Sequence, residues 1–208
     1  MEGIVNLPLF LISAFLIIIA PGPDFIYVTT RGIAEGNKAG IMSALGISVG
    51  LIVHTLFAAF GLSAIIQAST IAYLIIKFAG AAYLIFLGVK AILSKSKIEY
   101  LKSEKTIKSG SIFKQGIITN VFNPKAIVTF MAFLPQFVNI NNVNPVMEFT
   151  EMGLILSVMA IIWFCFVGYF AGIVGVFIKK SKTIQNVVKY LSGSIMILLG
   201  LKLAVTKD

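Results

Sequence analysis

Four consecutive residues, Pro21, Gly22, Pro23 and Asp24, put a broken backbone and a carboxylate at the end of an apolar run from Ile4 to Ala20. Neither proline has an N–H, so a helix through this point leaves the carbonyls of Ile17 and Ile19 without their i→i+4 donors. The run is long enough to enter a membrane. Broken backbone at membrane depth is tolerated only where protein buries it or where it lines a wet cavity. Asp24 is the only acidic residue within any of the expected long apolar runs, and a carboxylate so placed is a candidate site for a cation, an ammonium group or a proton. The half-helix starting near Pro23 also turns its positive N-terminus toward the break, which suits an anionic group. The competing structural reading has Asp24 satisfy first-turn N–H groups. An uncharged Ser or Asn would do that with a smaller desolvation penalty.

A second constellation is Asn120, Asn123, Pro124 and Lys125. Pro124 removes the donor to the Asn120 carbonyl, so a helix must bend there. Aligning Pro23 with Pro124 sets Asp24 opposite Lys125. An acid and a base so placed suit a zwitterion, or pair with each other when the site is empty; a structural salt bridge or a snorkelling Lys125 is the alternative. His54 lies on a helical face with Gly46, Gly50 and Ala58, with Gly61 close by. The glycines read as close helix packing. The histidine reads either as a member of a proton relay or as a neutral ring bonded to a backbone carbonyl or a serine. Gly168 and Gly172 read as packing, Trp163 and Tyr169 as packing with a pocket-lining alternative, and Cys165 as a small core residue.

The elements that must position these groups are transmembrane helices. Of the 208 residues, 58% are hydrophobic and 12% charged, against roughly half and a quarter in soluble domains, and mean hydropathy is +0.99. One Cys and one His leave no basis for an internal disulfide, a CxxC redox centre or a His-cluster metal site, and no cofactor is expected. Met1-Glu2-Gly3 lacks the basic start of a secretory signal, so the first run reads as a membrane span. Six spans are expected, at about Ile4–Thr30, Ala39–Leu62, Ala68–Leu93, Ile112–Val138, Met152–Ile178 and Ile184–Val205, the first broken at Pro21–Pro23 and the fourth at Asn123–Pro124. Lys and Arg concentrate in three connections: Arg31 and Lys38; Lys95 through Lys114; and Lys179, Lys180 and Lys182. The positive-inside rule places these in the cytoplasm and both termini outside. The same rule accounts for the net charge of +9 without nucleic acid as a partner.

An offset of 112 positions lays Lys77–Lys90 over Lys189–Lys202 without a gap, matching Ile85 with Ile197, Leu87 with Leu199 and Gly88 with Gly200. Span 3 thus pairs with span 6, and the two breaks pair span 1 with span 4. Three spans per half is odd, so the halves are expected to be inverted: repeat 1 at about 1–93, a basic cytoplasmic loop at about 94–111, and repeat 2 at about 112–208. This is a common plan of secondary transporters, in which interrupted helices at corresponding positions mark the binding site. Lys77 and Lys189 either snorkel or anchor corresponding helices.

These residues resemble the LysE/RhtB amino-acid exporters. The resemblance rests on Ala20 to Phe25, Arg31 to Gly36, Lys38 to Gly40 and Ala44 to Gly50; on Gly80 to Lys90; and on Phe113 to Asn120, Asn123 to Ala126 and Phe133 to Phe137. It implies an all-α inner-membrane protein of bacteria that exports small amino acids by proton antiport. The Pro-Gly-Pro-Asp form resembles the homoserine/threonine-type branch, so homoserine, threonine, leucine or their derivatives are the expected cargo. Pro21, Gly22, Pro23, Asp24, Asn123, Pro124 and Lys125 are the residues carried over. Partners are then the amino acid, protons and lipid, and small-residue faces permit a homodimer. The rival function is cation or metal-ion export on the same scaffold, against which Asp24 stands alone where hard cations want several oxygens. A membrane enzyme lacks support, since no Ser/His/Asp set or paired carboxylates occur.

Overall fold

Helix ends here follow local chemistry. The computed structural model describes residues 4, 6–93, 108–138, 145–171, 173 and 182–205, with the side chains of a few residues inside the helices excepted. Helix α1 (Leu7–Ile19) starts where Asn6 accepts a hydrogen bond from the Leu9 N–H at 3.2 Å, and ends at Ala20 before the two prolines. Helix α2 (Pro23–Glu35) takes Pro23 as its first residue, where the missing N–H costs nothing. The two axes differ by 52°. Gly36, at φ 90°, closes α2 and opens α3 (Asn37–Leu56), a left-handed turn that a side chain would strain.

Beyond α3 the helix widens into a π-helical stretch (Phe57–Leu62) and continues as α4 (Ser63–Ala68). The expected 62–68 link is therefore helical: it contains neither Pro nor Gly past Gly61, so nothing stops the helix before Ser69 turns extended. Ser69 then caps α5 (Thr70–Leu93) through the Ala72 N–H. Helix α6 (Ser109–Val121) and α7 (Pro124–Val128) flank the second break, bent by 48°. A π-helical turn (Thr129–Phe133) and a 3-10 turn (Leu134–Phe137) extend α7. Helix α8 (Pro145–Tyr169) and α9 (Lys182–Val205) complete the described chain.

Two corrections to the expected boundaries matter. Helix α8 begins at Pro145, not near Met152, because proline is at home in a first helical turn. This brings Glu148, 3% exposed, into an apolar helix, so Asp24 is not the sole acid there. Helix α6 begins at Ser109, inside the expected basic loop. Lys95, Lys97, Lys102, Lys105, Lys179, Lys180 and Gly172 lie outside the described residues.

Among the described residues no strand forms; a single β-bridge joins Ile4 to Val138. Large apolar side chains point outward along the helices, including Phe57, Phe60, Ile71, Phe122 and Ile162, while Ser43, Asn120 and Asn123 are buried. That inversion suits a bilayer as solvent. By length and composition Asn37–Ile65 and Pro145–Tyr169 can each cross a membrane, and each bent pair can as one broken span.

Glycines set the contacts. A Cβ on Gly40 would lie 2.3 Å from the Gly168 carbonyl, and one on Gly153 would lie 2.4 Å from Thr55 Cγ2, so α3 and α8 run antiparallel in close contact. On its other side α3 meets α6, Gly46 facing the Phe113 carbonyl and Gly50 facing Asn120. Helices α5 and α9 are also antiparallel: Gly88 meets the Gly193 carbonyl and Ile197, and Gly200 meets the Ala81 carbonyl and Ile85. Small residues permit such backbone approach. Gly40, Gly46, Gly50 and Gly168 are thereby used within one chain, whereas Gly61 meets nothing within 4 Å.

Gly40→Ala is expected to lower the stability of the detergent-purified protein by about 1–3 kcal/mol, because backbone cannot yield as a side chain can. Gly61→Ala, in open space, is expected to leave it unchanged. Thermal unfolding of the two variants checks this; equal midpoints would contradict the packing.

Candidate functional site

The two breaks meet. Asp24, second residue of α2, is 9% exposed, and its Oδ2 accepts a hydrogen bond from Asn120 Nδ2, at the end of α6, at 2.9 Å. In return Lys125, second residue of α7, sends its Nζ to the carbonyl of Ala20, which caps the end of α1, at 2.6 Å. Each half-helix start is thus tied to the end of the opposite half-helix. Lys125 closes the negative end of α1, a placement that favours a cation. Among the described residues no ion pair joins Asp24 and Lys125, so the pairing of acid with base is not what the structure places there.

Asn123 Oδ1 accepts from the Lys125 N–H at 3.0 Å and caps α7. The Asn120 carbonyl, freed by Pro124, accepts instead from the Asn123 N–H at 2.9 Å and from His54 Nε2 at 3.1 Å. A carbonyl only accepts, so Nε2 carries the proton. The His54 ring also stacks on Phe130, with centroids 5.4 Å apart. His54 therefore takes the carbonyl-bonded arrangement and is one residue removed from Asp24, through Asn120. Gly50 is required beside it, since a Cβ there would lie 2.6 Å from Asn120 Oδ1. A Cβ on Gly22 would press on Lys125 Cδ at 3.1 Å.

Asp24, Asn123, Lys125 and Gly22 line one side of a cavity of about 460 Å³ of empty space, part of it open to the outside. The remaining wall is apolar: Ile17, Ile18, Phe25, Leu51, Ala126, Phe130, Leu156, Ala160 and Phe164, with Thr129 among them. Asp24 Oδ1 and Asn123 Nδ2 are buried without a hydrogen-bond partner. A buried acceptor and a buried donor left idle each cost free energy, and a zwitterion would satisfy both. The expected residues that converge are thus Gly22, Asp24, Asn120, Asn123, Lys125 and His54. Pro21 and Pro23 shape the break from α1 into α2 and Pro124 opens α7.

Sequence reasoning missed the apolar wall, whose members cannot be told from lipid-facing bulk by residue type. It also missed a polar cluster further along α2. Arg31 pairs with Glu35 and bonds Gln115 at 2.8 Å, and Tyr27 donates to the Ile112 carbonyl at 2.7 Å with Arg31 over its ring. Arg31 and Glu35 stand four apart, which is the available signal. At the other end of the bent pairs, Phe10 stacks on Phe133 and Phe137 meets both edge-on, with centroids 5.0–5.7 Å apart. Lys77 and Glu148 are buried away from the cavity lining. Trp163 packs on Phe15 and Phe166, Tyr169 is half-exposed, and Cys165 is a partly buried free thiol. Among the described residues no three His, Cys, Asp or Glu side chains converge as metal ligands.

A family model described as "LysE type translocator" matches residues 15–207. The chain is 34% identical over 199 residues to the uncharacterized membrane protein YrhP of Bacillus subtilis (strain 168), covering 91% of this chain and 93% of that one. It is 27% identical over 206 residues to the leucine efflux protein of Enterobacter sp. (strain 638), covering 97% and 96%. Against the leucine efflux protein of Klebsiella pneumoniae it is 28% identical over 203 residues, with the same coverage. No solved structure matches.

Gly50→Ala is expected to swing Asn120 off Asp24 and to destabilise the purified protein by about 1.5–3 kcal/mol, the worth of a hydrogen bond to a charged group. Asn120→Ala removes the same bond, so the double variant should fall well short of the sum of the two losses. Additive losses in thermal unfolding would show that Gly50 does not act through Asn120.

Proposed function

Because the chain belongs to the family of LysE type translocators, we propose that it is a secondary exporter of small neutral amino acids, driven by proton antiport across the bacterial cell membrane. The observation that carries this reading is the idle Asp24 Oδ1, buried between two broken helices beside a cavity whose remaining wall is largely apolar. A single carboxylate in such a cavity cannot cheaply stay ionised and unpaired. It takes a proton or the cargo's ammonium, but not both. With the site facing the cytoplasm, the ammonium displaces the proton; with the site facing outward, the proton displaces the ammonium. Lys125 or the free N–H groups at the breaks receive the cargo's carboxylate.

The wall of Leu51, Phe130, Leu156 and Phe164 favours an apolar side chain over a charged one, since nothing there would compensate a buried ammonium. Together with relatives named for leucine efflux, this ranks leucine ahead of homoserine and threonine within the expected cargo.

The inverted six-span plan is part of the same proposal. The offset of 112 that carries Gly88 onto Gly200 also carries Ala81 onto Gly193 and Ile85 onto Ile197. The contacts of Gly88 with Gly193 and Ile197 are thereby exchanged with those of Gly200 with Ala81 and Ile85. An offset of 113 similarly exchanges Gly40–Gly168 with Gly153–Thr55. Any antiparallel pair exchanges its contacts in this way; what supports the plan is that α5 and α9, the helices the offset of 112 relates, pack against each other in antiparallel fashion, as a two-fold axis between inverted halves requires. The basic connections support both termini outside.

Cells preloaded with labelled leucine, threonine or homoserine test the export. Expression is expected to give protonophore-sensitive efflux, and Asp24→Asn is expected to reduce it to background with the same amount of protein in the membrane. Undiminished protonophore-sensitive efflux by Asp24→Asn would contradict the mechanism.

A further inference from the structure

Export as described leaves open which group holds the carboxylate, and the structure distinguishes the candidates. Lys125 gives one of its three N–H donors to the Ala20 carbonyl at 2.6 Å, and that bond holds two helix ends together. The start of α2 is uncommitted. Its cap residue is Gly22, which has no side chain to accept from the first turn, and Pro23 has no N–H. Ile26 already donates to the Gly22 carbonyl. The N–H groups of Asp24 and Phe25, at the second and third positions of a 13-residue helix, are therefore the donors left over by helix geometry. They carry the positive end of the helix dipole.

Asn123 stands across the break. It is 1% exposed, and its orientation is fixed because Oδ1 accepts from the Lys125 N–H. That leaves Nδ2 buried and without a partner, in a residue that lines the cavity. The three residues that carry these donors, Asp24, Phe25 and Asn123, line the same cavity, together with the idle acceptor Asp24 Oδ1.

We propose that the start of α2, together with Asn123 Nδ2, is the seat of the cargo's α-carboxylate, and that Asn123 is the residue restricting cargo to free amino acids as against their amides, esters and amines. This rests on the export reading above. Lys125 contributes its charge to the field at the seat while its hydrogen bond stays on α1. The two ends of one zwitterion are then read by one helix start: the ammonium by the Asp24 side chain, the carboxylate by its backbone.

The test is calorimetric binding of L-leucine and L-leucinamide, with threonine and homoserine alongside, to the purified protein. The wild type is expected to prefer leucine over leucinamide by about ten- to hundred-fold, the range for a hydrogen bond to a charged group. Asn123→Asp keeps an acceptor for the Lys125 N–H and so keeps the α7 cap, but replaces the donor with a negative charge. It should abolish that preference by weakening leucine while leaving leucinamide unchanged or tighter. Asn123→Ser, which also caps but leaves only a shorter hydroxyl donor in place of the amide, should reduce the preference without reversing it. An equal loss for both ligands in these variants, or an undiminished preference, would overturn the seat while leaving export standing. A wild type that binds none of the three amino acids would overturn the export reading, and the seat with it.

Discussion

Two helices broken at membrane depth must find partners for the backbone groups they free, and here each break supplies the other's. The start of α2 is tied to the end of α6 through Asp24 and Asn120, and the start of α7 to the end of α1 through Lys125 and Ala20. The carbonyl released by Pro124 is taken up by His54 and by the Asn123 N–H. In hydrocarbon each such group left unpaired costs several kcal/mol, so the crossing depends on these ties. The rest of the structure serves them. Gly46 and Gly50 let α3 come close enough to α6 for His54 to reach Asn120, and Gly40 with Gly168 holds α8 against the other end of α3. Leu156, Ala160 and Phe164 are thereby brought to the cavity.

The reciprocity is geometric, not chemical. Asp24 and Lys125 hold the same position in their half-helices, yet one leaves an oxygen idle and the other donates to a backbone carbonyl. The closures beyond the breaks differ in the same way. Past Asp24, α2 is joined to α6 by Tyr27, Arg31 and Gln115; on the opposite side, α1 meets the α7 extension through packed phenylalanine rings. Separating the first surface exposes polar groups that water can solvate. Separating the second exposes apolar rings, which is unfavourable in water by about 25 cal/mol per Å².

The parts of this arrangement legible in the sequence are those set by covalent chemistry. A proline without an N–H breaks a helix whatever surrounds it, so both breaks stood out, and glycines at helical spacing announced close approach. The start of α8 was hidden because the apolar count begins near Met152, whereas the helix needs only Pro145 in its first turn. The π-helical turns after Leu56 and Val128 have no residue signature, since packing of the neighbouring helices selects them. Aligning the repeats put Asp24 opposite Lys125 but could not say that the lysine would reach a carbonyl, because that depends on how two bent helices cross. The walls of the cavity were invisible for a simpler reason: in a chain that is 58% hydrophobic, Leu51 and Phe164 look like any residue facing lipid.

The central claim is that one carboxylate serves proton and cargo in turn, so that binding one expels the other. Counting protons released when leucine binds tests it most directly, by titration calorimetry of the purified protein in buffers of different ionisation enthalpy. Competition at Asp24 predicts release of close to one proton per leucine at a pH where the empty site is protonated, since linkage equates the two effects. Leucine binding with no proton released across the pH range in which it binds would contradict it, and would separate the cargo site from the coupling site.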